Sequence, residues 1–285
     1  MADADKPIEL FVPGRLCLFG EHSDWAADYG RHKGFCLVVG TDQGLSAVAR
    51  PSDGLEIAAV PPREDPADVL IATDGLTLAN LPRGAVVLTG SPRRRAQLLH
   101  LRPDLAVRPV RGNVPTRLRK LAESDAAATI LARAGLVRLG LDDRITERFD
   151  PAAFLPACGQ GALAIEIRRD DDAVRERIAP LNDPAARHAV SAERALLADL
   201  HAGCRVPVGA WAEAADGGAA LRMTAMVASP DGARLLRAAG STPLDTPEAP
   251  QELGRRIASD LRAAGCQDIL DSFAEDRPKA REPDR

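Results

Sequence analysis

Between Gly84 and Leu141 the chain alternates short apolar runs with helical stretches, and this alternation restricts the fold more than any other feature. Ala85-Val86-Val87-Leu88-Thr89 is short, apolar and partly β-branched, which predicts a buried strand. Ser91-Pro92 then supplies an N-cap and a first-turn proline for a helix over Arg93–Leu101, which must stop ahead of Pro103. Leu105–Val110 predicts the next strand, Arg111-Gly112-Asn113 a turn, and Pro115 opens a second helix to about Glu123. Thr129–Ala132 predicts a third strand, with a helical stretch following to Leu141. Strands and helices alternating through short connections pair in parallel with right-handed crossovers, so the expected class is α/β with a parallel sheet.

Further along, Gly161–Ile167 alternates as a strand and Asp183-Pro184 marks a boundary before a helical run, Ala185–His201. Val206–Glu213 and Ala220–Ala228 predict antiparallel strands joined through Asp216-Gly217-Gly218, with a further turn at Pro230-Asp231-Gly232. Glu248–Ala264 predicts a helix closed by Gly265. The result is a smaller α+β domain, followed from Glu275 by a charged tail expected to fray. The first 54 residues differ in texture, with strand-like Ile8–Val12, Phe35–Val39 and Leu45–Ala49 and a seam at Pro51-Ser52-Asp53-Gly54. Three domains are therefore expected, 1–54, 55–183 and 184–285.

Composition narrows function by exclusion. A net charge of −4 gives no whole-protein attraction to nucleic acid or anionic membrane, so any anion site must come from local arginine clusters. At 3% aromatic residues, base stacking along a single strand is not expected. The five cysteines, Cys17, Cys36, Cys158, Cys204 and Cys266, lack metal-ligand or disulfide-framework spacing. With no signal peptide or apolar run of membrane-spanning length, a cytoplasmic monomer is expected.

Two features carry chemistry. Arg93, Arg94 and Arg95 fall in the first turn of a helix, where free N–H groups already favour anions, so arginines there conflict with the dipole unless an anion is held. Arg111, Arg117 and Arg119 repeat the arrangement at the next strand-to-helix turn. In an open α/β sheet such turns gather at the carboxyl ends of the strands, where several guanidiniums suit a polycarboxylate or phosphate; the alternative is a solvated charge run. The second feature is Cys204, in Gly203-Cys204-Arg205-Val206-Pro207, where the neighbouring cation favours the thiolate. Its alternative is a small buried hydrophobe. His188 and His201 are read as surface or partly buried, and Asp170-Asp171-Asp172 as a solvated helix start.

Over about residues 55–273 the chain resembles porphobilinogen deaminase (hydroxymethylbilane synthase). The stretches that carry the likeness include Pro62-Arg63-Glu64-Asp65-Pro66, Thr89-Gly90-Ser91-Pro92-Arg93-Arg94 and Arg111-Gly112-Asn113-Val114-Pro115-Thr116-Arg117. Ala134–Gly140, Leu155-Pro156-Ala157-Cys158-Gly159-Gln160-Gly161 and Gly203–Pro207 follow collinearly. The resemblance implies a periplasmic-binding-protein-like domain, and a dipyrromethane cofactor held by Cys204 through a thioether. It also implies that Ser91, Arg93, Arg94, Arg111 and Arg117 bind cofactor carboxylates, and that Arg138, Thr89 and Gln160 bind substrate. The implied reaction joins four porphobilinogen units into hydroxymethylbilane with release of ammonia. Departures are Gly90 and Pro92 in place of the family's Ser and Leu, and, upstream of Leu55, the lack of the Gly-Thr-Arg-Gly-Ser and His-Ser-Leu-Lys-Asp segments. The second of these carries the catalytic Asp, so most of the first domain is expected to be missing, no catalytic residue is identified, and activity is in doubt. Residues 5–53 instead resemble the start of a galactokinase/mevalonate kinase superfamily enzyme. There Arg15, Glu21, His22 and Asp24 would lie near a substrate, although no phosphate loop follows. The remaining alternatives are a non-catalytic or unstable fusion fragment and, further off, a small-molecule kinase.

Overall fold

The computed structural model describes residues 8–12, 45–49, 54–202 and 206–274. The chain divides into two compact units, 1–61 with 164–183 and 62–163 with 184–285. In the first, β1 (Ile8–Val12) and β2 (Leu45–Ala49) pair antiparallel, at the two expected strand positions. The expected strand Phe35–Val39 and the seam residues 51–53 lie outside the described residues. β3 (Leu55–Ala59) pairs antiparallel with β9 (Ile165–Arg168), interrupted by a bulge between Ile57 and Ala59. Helix α4 (Asp172–Ile178) follows β9, and the Asp171 carboxylate caps it by accepting from Val174 N at 3.1 Å. The acidic run is therefore a helix start, as its position predicted.

In the second unit a five-stranded sheet has the order β6-β5-β7-β4-β8, formed by β4 (Asp68–Ala72), β5 (Val86–Leu88), β6 (Ala106–Arg108), β7 (Ala128–Ala132) and β8 (Glu147–Arg148). β5, β6 and β7 are the three anticipated strands and run parallel. The sheet as a whole is mixed, not parallel: β4 is antiparallel to β7, with Leu70 opposite Ile130, and β8 is antiparallel to β4. The alternation from Gly84 fixes only strands joined by helices. β4 enters before that pattern begins, so nothing in it constrains its direction.

Helices cover both faces. α1 (Pro92–Leu101) supplies Leu98 to the side holding Leu70, Val87, Ile130, Phe149 and Phe154. The rings of Phe149 and Phe154 stack there, with centroids 4.7 Å apart. α2 (Val114–Ala122) and α3 (Arg133–Arg138) bring Leu118, Leu121 and Leu136 to the opposite side, against Val69, Ile71, Leu88 and Leu131. The strand period of two sorts β4, with Leu70 facing one way and Val69 and Ile71 the other. The carboxyl-terminal part is a meander of β10 (Val208–Ala215), β11 (Ala220–Ala228) and β12 (Leu235–Pro243). α5 (Pro184–Asp199) and α6 (Ala249–Ala263) pack on one face through Leu196, Leu253, Ile257 and Leu261, against Leu221, Met223, Ala225 and Val227. On the other face Met226 and Ala228 meet Ala96 of α1 and Leu155. This second face joins the meander to the central layer. A short α7 (Gln267–Ala274) ends the described chain.

Candidate functional site

The three parallel strands end at one edge of the sheet, and α1, α2 and α3 leave from it. The first two turns lie side by side: Thr89 N donates to Arg108 O at 3.0 Å, and a Cβ on Gly90 would sit 2.6 Å from the Val110 carbonyl oxygen. The glycine that stands in the position of a family serine is thus demanded by this close approach. Ser91 caps α1 by accepting from Arg94 N at 3.4 Å, and Asn113 caps α2 by accepting from Thr116 N at 3.0 Å. The Ser91 cap is as the sequence predicts, while α2 begins at Val114, one residue ahead of the predicted Pro115. Thr89 is buried, and its hydroxyl accepts from Ser91 N at 3.2 Å.

Because β4 runs antiparallel to β7, its first residue, Asp68, lies opposite Ala132, at the same edge from which the helices depart. A parallel β4 would have put it at the far edge. Asp68 shares the Leu70 face, which α1 covers, and so meets the first turn of that helix. Its carboxylate is fully buried and takes Arg93 Nη1 at 2.6 Å and Arg94 Nη2 at 2.8 Å. The two arginines are themselves 3% and 7% exposed. The anion that settles the conflict at this helix start is therefore the protein's own. Burial raises the Asp68 carboxyl, but the two guanidiniums outweigh it and hold it below the usual carboxylate range. Arg93 is lowered, first by burial and then by the charge of Arg94.

Gln160 completes the cluster. Its Nε2 donates to Asp68 Oδ1 at 2.8 Å and to Pro66 O at 2.6 Å, while its Oε1 accepts from Arg93 at 3.4 Å and Arg94 at 3.5 Å. A second buried ion pair adjoins it, with Arg63 clasping Glu193 of α5 at 2.7 and 3.1 Å and donating Nε to Gln160 O at 2.9 Å. Three largely buried guanidiniums face two buried carboxylates, so one positive charge is in excess. Arg93 Nε, buried, has no hydrogen-bond partner among the described residues. An orphaned donor on an arginine at a helix N-terminus fits a carboxylate ligand. Cys158 sits within the cluster, and its thiol is pushed up by burial and then by the Glu193 charge, which keeps it neutral.

The remaining predicted arginines divide. Arg111 and Arg138 are exposed, and Arg138 Nη2 reaches Gly161 O at 3.3 Å, one residue from Gln160. Arg117 donates Nε to Gly112 O at 2.7 Å. Arg119 makes an exposed pair with Glu123 within α2, at 3.3 Å, and so belongs to the helix surface. Cys204, Arg15, Glu21, His22 and Asp24 lie outside the described residues. His188 is partly buried and His201 exposed. Asp68 and Glu193 had no place in the sequence reading. Glu193 was legible, since Ala189 and Leu196 flank it at helical spacing and all three are buried.

The fold and this edge define an α/β protein with a buried cluster of three arginines and two carboxylates at the carboxyl ends of its parallel strands. Residues 48–176 match the family model for the porphobilinogen deaminase dipyrromethane cofactor binding domain, and 188–263 match the porphobilinogen deaminase carboxyl-terminal domain. The chain is 48% identical over 221 residues to the porphobilinogen deaminase of Syntrophobacter fumaroxidans, covering 78% of this chain and 70% of that one. It is 52% identical over 218 residues to that of Desulforudis audaxviator, covering 76% and 69%. For Acidothermus cellulolyticus the identity is 49% over 236 residues, covering 81% and 69%. The chain belongs to the porphobilinogen deaminase family. The matched models begin at residue 48, and the kinase-like reading of residues 5–53 draws no support from them.

Proposed function

We propose that the chain is a hydroxymethylbilane synthase-type transferase, joining four porphobilinogen units with release of ammonia. The observation that carries the reading is the collinear identity with porphobilinogen deaminases across both matched domains. The buried arginine pair supports it, because each pyrrole unit brings two carboxylates. The matched cofactor-binding domain makes dipyrromethane the cofactor, and the orphaned Nε of Arg93 together with exposed Arg111 suits its carboxylates. When bound, that group supplies the terminal pyrrole to which the first substrate is joined. Cys204 would hold it by thioether, with Ser91, Arg93, Arg94, Arg111 and Arg117 receiving its acetates and propionates. Arg138, Thr89 and Gln160 would serve the incoming porphobilinogen.

In this reading residues 1–54, 55–183 and 184–285 act as amino-terminal, central periplasmic-binding-protein-like and cofactor-bearing domains of a cytoplasmic monomer that engages neither nucleic acid nor membrane. Among the described residues no helix is long and apolar enough to cross a membrane. Most of the family's first domain, with its catalytic Asp, is missing from this reading. Losing an electrostatic partner of a cationic intermediate costs on the order of a hundredfold or more in rate. The test is porphobilinogen consumption with ammonia release, comparing the chain with its Cys204→Ser variant. Slow turnover abolished by the substitution is expected, and turnover that survives it refutes the reading.

A further inference from the structure

Glu193 is fully buried, and its carboxylate is saturated by four donors from three parts of the chain. Oε1 accepts from Arg63 Nη1 at 2.7 Å and from Ala212 N of β10 at 2.9 Å. Oε2 accepts from Arg63 Nη2 at 3.1 Å and from Gly159 N at 2.6 Å. Arg63 and Gly159 adjoin Gln160, which holds Asp68 and the Arg93–Arg94 pair. α5 and β10 are the elements on either side of residues 203–205 in the chain. One carboxylate therefore ties both flanks of the Cys204 segment to the segment that carries Gln160. A simple stabilising ion pair would need Arg63 alone.

We infer that Glu193 is a positioning residue, setting α5 and β10, the elements that flank Cys204 in the chain, in register with the Gln160–Asp68–arginine cluster. The inference rests on the proposed role of Cys204 as the cofactor tether. A carboxylate is needed because an amide at this position offers one acceptor oxygen and points an N–H₂ at groups that are themselves donors. The loop from Pro156 to Gly161 is held on the same side by Ala210 N, which donates to Pro156 O at 3.0 Å. Glu193 fixes the middle of that loop, at Gly159.

The test uses the full chain as wild type, as Glu193→Gln, and as the double variant Arg63→Met with Glu193→Gln. The single variant leaves Arg63 buried without its partner and is expected to melt lower. The double variant removes both charges and regains most of that loss. Amide hydrogen exchange then separates positioning from stability. In the double variant Gly159 and Gln160 are expected to exchange at least tenfold faster, while Met223 and Ala225 in the β11 core keep wild-type protection. Wild-type protection at Gly159 and Gln160 would overturn the inference. Intact mass gives a second arm: the fraction carrying a covalent addition at Cys204 after incubation with porphobilinogen should fall severalfold in the double variant. Equal loading of wild type and double variant would overturn it too. A wild-type chain with no addition would refute the cofactor reading, and the exchange result alone would then uphold or overturn the role of Glu193.

Discussion

Replacing Asp68 with Asn should expose how far this fold depends on one carboxylate. The substitution keeps the shape of the side chain and removes the charge that two buried guanidiniums share, at 2.6 and 2.8 Å. Removing one partner of a buried pair costs roughly 3–5 kcal/mol, because the remaining charge is left without compensation. Here the excess buried charge rises from one to two, while the amide oxygen can still accept from one arginine. That places Asp68→Asn at the lower end, about 3 kcal/mol. For a unit of this size each kcal/mol moves the melting temperature by about 2–4 °C, so a fall of roughly 6–12 °C is expected. Urea unfolding and calorimetry of both proteins at neutral pH measure it. Acid supplies an independent check. The Asp68 carboxyl is held below its ordinary value in the fold, so its contribution is complete above about pH 4 and is lost as pH falls through the folded value. The difference between wild type and Asp68→Asn should therefore shrink below pH 4. A difference under about 1 kcal/mol at neutral pH, or one that persists undiminished into acid, would refute the reasoning.

Other substitutions address particular contacts. Gly254→Ala in α6 would drive a Cβ into the Ala192 carbonyl oxygen of α5, where the two helices touch. Overpacking of this kind costs about 1–3 kcal/mol, measured as a lower urea midpoint with an unchanged slope. Asn113→Ala should cost about 1 kcal/mol, and Ser91→Ala less, since their cap bonds measure 3.0 and 3.4 Å; the reverse order in a urea series would contradict the geometry. Asp104, bridged by Arg102, is lowered to about 2, so its carboxyl resonance in an NMR titration should remain that of the ionised form down to about pH 3. Arg102→Lys should move that midpoint upward, because the two-pronged bond to Asp104 at 2.8 and 2.8 Å becomes one point contact.

What the sequence revealed was local, and what it concealed was distant. Ser91-Pro92 announces a helix start because the capping oxygen and the N–H it satisfies are three residues apart. β11 is legible because Leu221, Met223, Ala225 and Val227 alternate toward one core. β12 escaped notice because Leu235–Pro243 is built largely of small and polar residues whose pairing with β11, not their own pattern, makes them a strand. β4 was hidden for a related reason. Its direction is set by pairing with β7, sixty residues on, and that direction carries Asp68 to the helix-bearing edge. The arginines of α1 announced a need for an anion, yet no local signal said that an aspartate 25 residues upstream meets it. The likeness to porphobilinogen deaminase located Arg111, Arg117 and Arg138 in sequence, and the structure leaves Arg111 and Arg138 exposed and Arg117 on the Gly112 carbonyl, all outside the buried cluster.

The proposal to be tested is that the dipyrromethane is tethered at Cys204, with its acetates and propionates received by the arginines that follow β5 and β6. Intact mass spectrometry of the full chain purified from cells that make porphobilinogen, followed by peptide mapping, tests it most directly. A mass addition of two linked porphobilinogen-derived pyrroles is expected, confined to the peptide containing Cys204 and lost in Cys204→Ser. A chain at its unmodified mass, or an addition mapped to Cys158 or Cys266, would contradict it.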